Sequence, residues 1–550
     1  MTERFQSLER YSRAVQISTT EPCGRLAALA ALVLFVNIGQ GALAAPAPKL
    51  DFTADQFALA ESVAGSPGLA SFYGANGLAP VFLGPEAAPQ RRALIGVVAR
   101  APEHGLAPAR YRPAELRQID ERGPSTRGDE IAFAQSLAAW VHDVSGGLVD
   151  PRNVDSANHR TVQRADLDAV LTGFIAAADP AAVLRGVEPS DPRYLALQAA
   201  LADLAKLSAP STAPKVPAGL YKPGATGPAV AALRERLASI GFPASGGERY
   251  DEDLTDAVRA FQQRAGLKPD GIAGPRTIER LNGGAGARAR ALILSLERMR
   301  WLNGHDPNAR QVWVNLPEYT AEIRDGGRSV FETGVVIGKT DAHMETPEFS
   351  DMMEHIVVNP RWNVPRSMTV RDYLPRLQAN RHAVAHLDVI DGRGRVVPRD
   401  QVDFNRYTAA SFPFRLQQKP GDDNALGEVK FIFPNRWNIY LHDTPTRGLF
   451  SQSRRAYSNG CIRIQRPVEL AHALLEGQVN DPAATYARAR NSGREAWLAL
   501  DPDIPVHLVY FTTLPDDDGM IRSYPDIYNR DGKLWQALLK AGLENDGGEG

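Results

Sequence analysis

Apolar positions recur at helical spacing through much of the chain's first two hundred residues, as in Ile131 to Val144 and Tyr194 to Leu207, within a composition rich in Ala, Leu and Arg. The pattern predicts a helical scaffold domain over 45–210. Ser208 to Pro217 (Ser-Ala-Pro-Ser-Thr-Ala-Pro-Lys-Val-Pro) then loses the apolar period and reads as a proline-stiffened linker. After it, Val230, Leu233 and Leu237, then Leu254, Ala257, Val258 and Phe261, then Ile278 and Leu281 predict three short amphipathic helices within 216–282. Gly241, Gly266, Gly271 and Gly274 punctuate them, and Asp253 or Thr255 is the expected cap of the second. Gly283 to Arg290 reads as a Gly/Ala/Arg hinge.

From about residue 310 the period shortens to that of strands. Gln311 to Leu316, Ser329 to Ile337, His355 to Asn359, Lys430 to Phe433, Trp437 to His442 and Pro505 to Thr512 are β-branched or aromatic runs bounded by Gly, Pro or Asn. A helix returns at Pro467 to Glu476, with Val468, Ala471 and Leu475 on one face. Arg366 to Asp423 breaks the strand pattern with Pro, Arg, Asp and a Gly392-Arg393-Gly394 turn, and reads as a lid-like insertion. The expected fold is α+β and multidomain. A helical domain and a three-helix module precede a mainly-β domain over 285–515 with its insertion at 366–423, and a C-terminal helix and polar tail follow over 516–550.

Composition narrows the function. With 43% hydrophobic and 23% charged residues the 550-residue chain is ordinary globular protein, which excludes general disorder, collagen and a polytopic membrane protein. Lys and Arg number 62 against 64 Asp and Glu, a net charge of −2 that offers no basic field to a nucleic acid. Arg25, the charge-free stretch Leu26 to Ile38 and Ala42-Leu43-Ala44 form the pattern of a cleaved export signal over 1–44. An uncleaved anchor is the alternative, and beyond it no tight membrane association is expected. Export would leave Cys461 as the sole cysteine in a compartment where thiols are normally paired, so its survival as a free thiol calls for a reason.

The reason lies in Tyr440-Leu441-His442-Asp443-Thr444-Pro445 and in Ser458-Asn459-Gly460-Cys461-Ile462-Arg463. A free thiol is only about 3% ionised at pH 7, and a nucleophilic cysteine needs help. His442 ends a predicted strand and Cys461 follows a Ser-Asn-Gly turn, a return long enough to set a base beside a nucleophile on adjacent strands. Lowering the thiol pKa by about two units would gain only about two- to three-fold, because nucleophilicity falls as the thiolate fraction rises. Proton delivery to a departing amine and removal of a proton from an incoming one gain about 10²-fold or more, and that role falls to His442. Gly460 permits close backbone approach, and the N–H groups around Asn459, Gly460 and Cys461 are candidates to receive an oxyanion. Arg463 would share a strand face with Cys461, suited to a carboxylate or to a structural role, while Ser458 and Tyr440 flank the pair. On composition alone an inert buried cysteine and a strand-end histidine read better; the motif reverses that.

These two segments closely resemble the catalytic segment of the L,D-transpeptidases, which remodel bacterial peptidoglycan. Asn359-Pro360-Arg361-Trp362-Asn363-Val364-Pro365 and Asn424-Ala425-Leu426-Gly427 resemble further family segments, over roughly 285–515. Residues 216–282 resemble the three-helix peptidoglycan-binding module, through Tyr250-Asp251, Ala257-Val258, Phe261-Gln262, Gly266-Leu267, Asp270-Gly271, Gly274 and Thr277. The resemblance implies a periplasmic cell-wall enzyme that forms 3→3 cross-links between donor and acceptor stem peptides through a Cys461 thioester, needs no cofactor or metal, and is acylated by carbapenems. The same acyl-enzyme with water or an envelope-protein lysine as acceptor stays open, as does a non-catalytic wall-binding protein. Asn459 stands where the family commonly has His, which leaves all acid/base chemistry to His442.

Three other patterns carry less. Gly334 to Thr340 has one residue too few between its glycines for a phosphate loop. His382 and His386 have the spacing of a zinc pair on a helix but lack the accompanying Glu. Arg288, Arg290, Arg298 and Arg300 fit either a face that steers toward anionic wall polymer or an ordinary solvated helix face, and nothing specific follows from them.

Overall fold

Helix Arg127–Gly146 is the axis of the N-terminal layer. A reciprocal capping box between Thr126 and Asp129 starts it, and Phe133, Leu137, Trp140 and Val144 bury its inner face. Helices Ala54–Val63, Pro67–Ala75, Ala88–Val98 and Leu167–Ala176 share that core. The computed structural model describes residues 52–207, 213–265, 267–282, 284–341 and 343–543. The expected export signal of 1–44, the linker positions 208–212, Gly266, Gly283 and the tail after Leu543 lie outside them.

Residues 284–290 of the expected hinge are instead part of the helix Gly284–Arg300. Ala and Arg are strong helix formers, and Leu292, Leu296 and Met299 pack against Leu197 and Leu201 of helix Pro192–Leu207, which outweighs the glycines. The helix faces two ways. Leu294 and Trp301 enter the N-terminal core, joined by Leu534 and Leu538 of the C-terminal helix Arg530–Lys540, while the Leu292 side meets Trp313, Val509 and Phe511 of the β domain.

The arginine face is not all solvated. Arg298 and Arg300 are buried, at 3% and 0% exposure. Arg298 pairs with Asp531 at 2.6 Å, and Arg300 pairs with Glu297 at 2.6 Å and donates to the His104 carbonyl at 2.8 Å. Burial on both faces forces these cations to find partners.

The module folds as helices Pro228–Ala238, Glu252–Arg264 and Pro275–Asn282 around a core of its own, including Val230, Leu233, Leu254, Phe261 and Ile278. Its second helix is capped by Asp251 rather than Asp253 or Thr255. Asp251 has extended backbone and accepts the Leu254 N–H at 3.0 Å, whereas Thr255 lies inside the helix and donates to the Asp251 carbonyl.

The β domain comprises β1 (Gln311–Asn315), β2 (Thr320–Asp325), β3 (Arg328–Gly338) and β4 (Phe349–Val358), then β5 (Trp362–Asn363), β6 (Leu387–Ile390) and β7 (Arg415–Gln418). There follow β8 (Val429–Ile432), β9 (Leu441–His442), β10 (Ala456–Ser458), β11 (Ile462–Ile464) and β12 (Ala496–Val509), and a hairpin of β13 (Thr513–Pro515) and β14 (Ile521–Ser523). The main sheet runs β10-β3-β11-β9-β8-β4-β12-β1-β2, and β2 also pairs with β3, so it closes on itself. Leu441, Ile462, Phe431 and Ile356 point to an inner core that helix Pro467–Leu475 completes with Leu470, Ala471 and Leu474.

The strand expected over Trp437 to His442 is only Leu441–His442. Asn438 adopts φ of 55°, and the Asn435 amide binds the carbonyls of Phe433 and Ile439 at 2.7 Å, holding the approach as a turn. The insertion has its own three-stranded sheet, β5-β7-β6, and its own core of Trp362, Val364, Leu374, Leu387, Phe404, Leu416 and Leu426, so it packs as a small subdomain and reaches beyond 366–423 at both ends.

Arg300→Met should lower stability by about 3–5 kcal/mol, because Glu297 is left buried and unpaired. Adding Glu297→Leu should recover part of the loss, since it removes the lone charge but also the acceptor of the Val149 N–H, as read from denaturant or thermal unfolding.

Candidate active site

Two short strands bring the candidate residues together. β9 and β11 pair in parallel with Leu441 opposite Ile462 and His442 opposite Arg463, and the Ile462 N–H donates to the Tyr440 carbonyl at 3.1 Å. Leu441 and Ile462 fill the inner core, so the alternating residues His442 and Arg463 share the other face.

Cys461 lies at the entrance to β11, a free, half-buried thiol. The Tyr440 backbone N–H and hydroxyl lie against its sulfur, and Sγ donates to the Asn438 carbonyl at 3.6 Å. Burial pushes the thiol up to about 11, against the smaller opposing effects of Tyr440 and of the Arg463 charge. Burial and the neighbouring thiol likewise raise the Tyr440 phenol.

His442 is buried, with its ring edge-on to Tyr440 at 5.7 Å between centroids. Its Nδ1 is hydrogen-bonded to the Asp443 carbonyl. A carbonyl only accepts, so Nδ1 carries the proton and Nε2 is left with a lone pair. Burial, then the Arg463 charge, push the imidazole down to about 3, and Lys430, opposite His442 on β8, acts in the same sense. The resting pair is therefore a neutral imidazole and a protonated thiol. No hydrogen bond joins them in this state, since the thiol is turned to Asn438.

The turn before the thiol is built by Ser458 and Gly460. Ser458 is buried; its hydroxyl accepts the Gly460 N–H at 3.1 Å and donates to the Cys461 carbonyl at 2.5 Å. Ser458 thus shapes the turn, and the Gly460 N–H, expected as an oxyanion donor, is already engaged. Gly460 has φ of +113°, and a Cβ there would lie 3.1 Å from Ile439, which explains the glycine. Asn459 is exposed and its amide meets Met368 of the insertion at 3.5 Å. Arg463 has a buried Nε with no protein partner and acts on both Cys461 and His442 through its charge.

The segments 359–365 and 424–427 mark where the insertion leaves and rejoins the sheet. The Asn359 amide binds the carbonyls of Ala489, Arg490 and Arg494. Gly427, at φ of 61°, makes room for the Asp443 carboxylate, which accepts the Glu428 N–H at 2.9 Å and pairs with Arg447 at 2.6 Å. Sequence reasoning missed Asn438, the Asp443 carbonyl and Thr346, whose hydroxyl donates to the Gly460 carbonyl at 2.8 Å. The Asn435-Arg436-Trp437-Asn438 run was a legible turn signal; nothing local marks Thr346.

The other candidates dissolve. Gly334 and Gly338 are strand residues of β3, and His382 and His386 are exposed in a turn, not on a helix. Among the described residues no three His, Cys, Asp or Glu side chains cluster as metal ligands.

Residues 309–481 match the family model for the L,D-transpeptidase catalytic domain. The chain carries an L,D-transpeptidase catalytic domain. Residues 226–281 match the "Putative peptidoglycan binding domain" and 67–201 the scaffold domain. A Haemophilus influenzae protein named "Putative L,D-transpeptidase" is 33% identical over 228 residues, 40% of this chain and 45% of that protein. The N-acetylmuramoyl-L-alanine amidase CwlL of Bacillus licheniformis is 39% identical over 77 residues, 14% of this chain and 21% of that one. The chain thus spans less than half the length of either curated relative it matches. Solved L,D-transpeptidases of Xylanimonas cellulosilytica (17% identity, 53% of this chain and 99% of that chain, TM-score 0.15) and Stackebrandtia nassauensis (13%, 53% and 94%, TM-score 0.17) also match. The described transpeptidase domain has no helix long and apolar enough to cross a membrane, nor has the rest of the described chain.

Because the thiol is raised to about 11, its alkylation by iodoacetamide in the ligand-free protein should climb about tenfold per pH unit from pH 7 through pH 10. A plateau near pH 8.5, as for an ordinary cysteine, would contradict the assigned environment.

Proposed function

We propose that the protein is an exported peptidoglycan L,D-transpeptidase that forms 3→3 cross-links. The observation that carries this reading is the neutral imidazole of His442, held as the Nδ1–H tautomer by the Asp443 carbonyl on the strand beside Cys461. A raised thiol is about 10⁻⁴ ionised at neutral pH, so attack needs a base at the moment of reaction rather than a standing thiolate.

The thiol leaves Asn438 by side-chain rotation and gives its proton to His442 Nε2 as sulfur attacks the carbonyl at the L-centre of the third stem residue. The C–S bond forms, the amide C–N bond breaks, and D-alanine leaves with the proton from His442. An imidazolium beside Arg463 and Lys430 is disfavoured, which makes it a ready acid for that step. His442 then takes a proton from the side-chain amine of a second stem, which displaces sulfur from the thioester and restores the thiol. The free N–H of Cys461 receives the oxyanion in both halves, Tyr440 supports the sulfur, and Arg463 with its unpartnered Nε faces a substrate carboxylate. No cofactor enters this scheme. The peptidoglycan-binding match supports wall polymer as the partner and the cell envelope, in the periplasm, as the place of action.

Incubation with disaccharide-tetrapeptide should release D-alanine and yield a cross-linked dimer by mass. Cys461→Ala should abolish product, and His442→Ala should slow it at least about 10²-fold, with both variants folded. A carbapenem should add covalently to Cys461 of the wild type. Hydrolysed tripeptide without dimer would assign water as acceptor, and absence of any adduct would leave only a wall-binding role.

A further inference from the structure

The nucleophile turn is held from behind by a residue far away in sequence. Thr346 is fully buried. Its hydroxyl accepts the Gly338 N–H at 2.9 Å, which directs its own proton to the Gly460 carbonyl at 2.8 Å. Thr346 is in turn gripped along its backbone. Its N–H donates to the Tyr528 hydroxyl at 3.3 Å, that hydroxyl donates to the Gly338 carbonyl at 2.7 Å, and Arg530 donates to the Thr346 carbonyl at 3.1 Å.

The Gly460 carbonyl belongs to the same planar, trans peptide as the Cys461 N–H, so fixing one end of that plane fixes the direction of the other. Among the described residues the Cys461 N–H has no acceptor, while the Gly460 N–H is taken by Ser458. A hydrogen bond on the carbonyl also polarises the peptide and makes its N–H a better donor.

We infer that Thr346 is a positioning residue that orients the Gly460–Cys461 peptide so that the Cys461 N–H receives the oxyanion of the acylation step. The inference rests on the reading of Cys461 as the acyl carrier, and it assigns that carrier's oxyanion donor a support from outside the motif.

The support extends into the other layers. Arg530 is buried and pairs with Glu348 at 2.8 Å and Glu345 at 3.2 Å, one on each side of Thr346. Glu348 exchanges backbone bonds with the helical domain, donating to the Ala157 carbonyl at 2.9 Å and accepting the His159 N–H at 2.8 Å. Asp155 of the same segment pairs with Lys533 at 2.7 Å. The His159 ring stacks on Trp437 at 4.3 Å, next to the Asn438 whose carbonyl holds the thiol. The helical domain and the C-terminal helix therefore meet at the back of the nucleophile turn.

Thr346→Val keeps shape and burial but removes the hydroxyl, and Thr346→Ser keeps the hydroxyl. Full-length variants are compared by the rate of carbapenem acylation at Cys461, by iodoacetamide alkylation of the same thiol followed by peptide mapping, and by thermal midpoint. Acylation passes through an oxyanion and alkylation does not. Thr346→Val should slow acylation about 10- to 100-fold with alkylation within about twofold of wild type, and Thr346→Ser should recover acylation to within about threefold. Tyr528→Phe, which loosens Thr346 without touching it, should slow acylation about three- to tenfold with alkylation again unchanged, and it serves if the valine variant does not fold. Acylation at the wild-type rate in Thr346→Val, a parallel fall in acylation and alkylation, or no rescue by Ser would overturn the assignment. A wild type that is alkylated but never acylated would instead remove the transpeptidase reading, and this assignment with it.

Discussion

The parallel register of β9 and β11 is the constraint on which the site depends. Leu441 and Ile462 are fully buried on the inner face, and their burial locks the pairing against slippage. A slip of β9 by one residue would carry His442 into the core and turn Leu441 outward, and a slip of β11 would do the same with Arg463 and Ile462. Hydrophobic burial on one face of a two-strand ladder thus sets the chemistry on the other.

Electrostatics then decide how that chemistry runs. Desolvation raises the thiol and lowers the imidazole, and Arg463 and Lys430 deepen the second shift, so the resting site stores no ion pair. On the proposed reading, such a site would attack slowly until substrate arrives, and the protonated ring would then be a strong acid. The same burial partly shelters the free thiol from oxidants.

Much of the fold was legible because its signals are local. The module's three helices follow from apolar positions at 3.6-residue spacing, and most strands from β-branched runs ended by Gly, Pro or Asn. The misreadings share a cause. The 284–290 segment looks like a hinge until helix Pro192–Leu207 packs on it, and Arg298 and Arg300 look solvated until a second layer covers them with Asp531 and Glu297 in place. The strand expected from Trp437 is bent by the Asn435 amide, a side chain bonding to backbone in competition with the ladder.

The sequence by itself determined the candidate reagents: the Cys461 thiol, the His442 imidazole, and a Ser-Asn-Gly turn that favours glycine at 460, because adjacent residues and their spacing fix such a turn locally. The tertiary structure alone decided which tautomer His442 holds, that the Ser458 hydroxyl and the Gly460 N–H satisfy each other, and that Thr346, Tyr528 and Arg530 stand behind the nucleophile. The contacts of Thr346 with Gly460, of Tyr528 with Gly338 and of Arg530 with Thr346 join segments over a hundred residues apart, and no period or motif encodes them. They exist only because a closed sheet and two helical layers leave buried polar groups that must find one another.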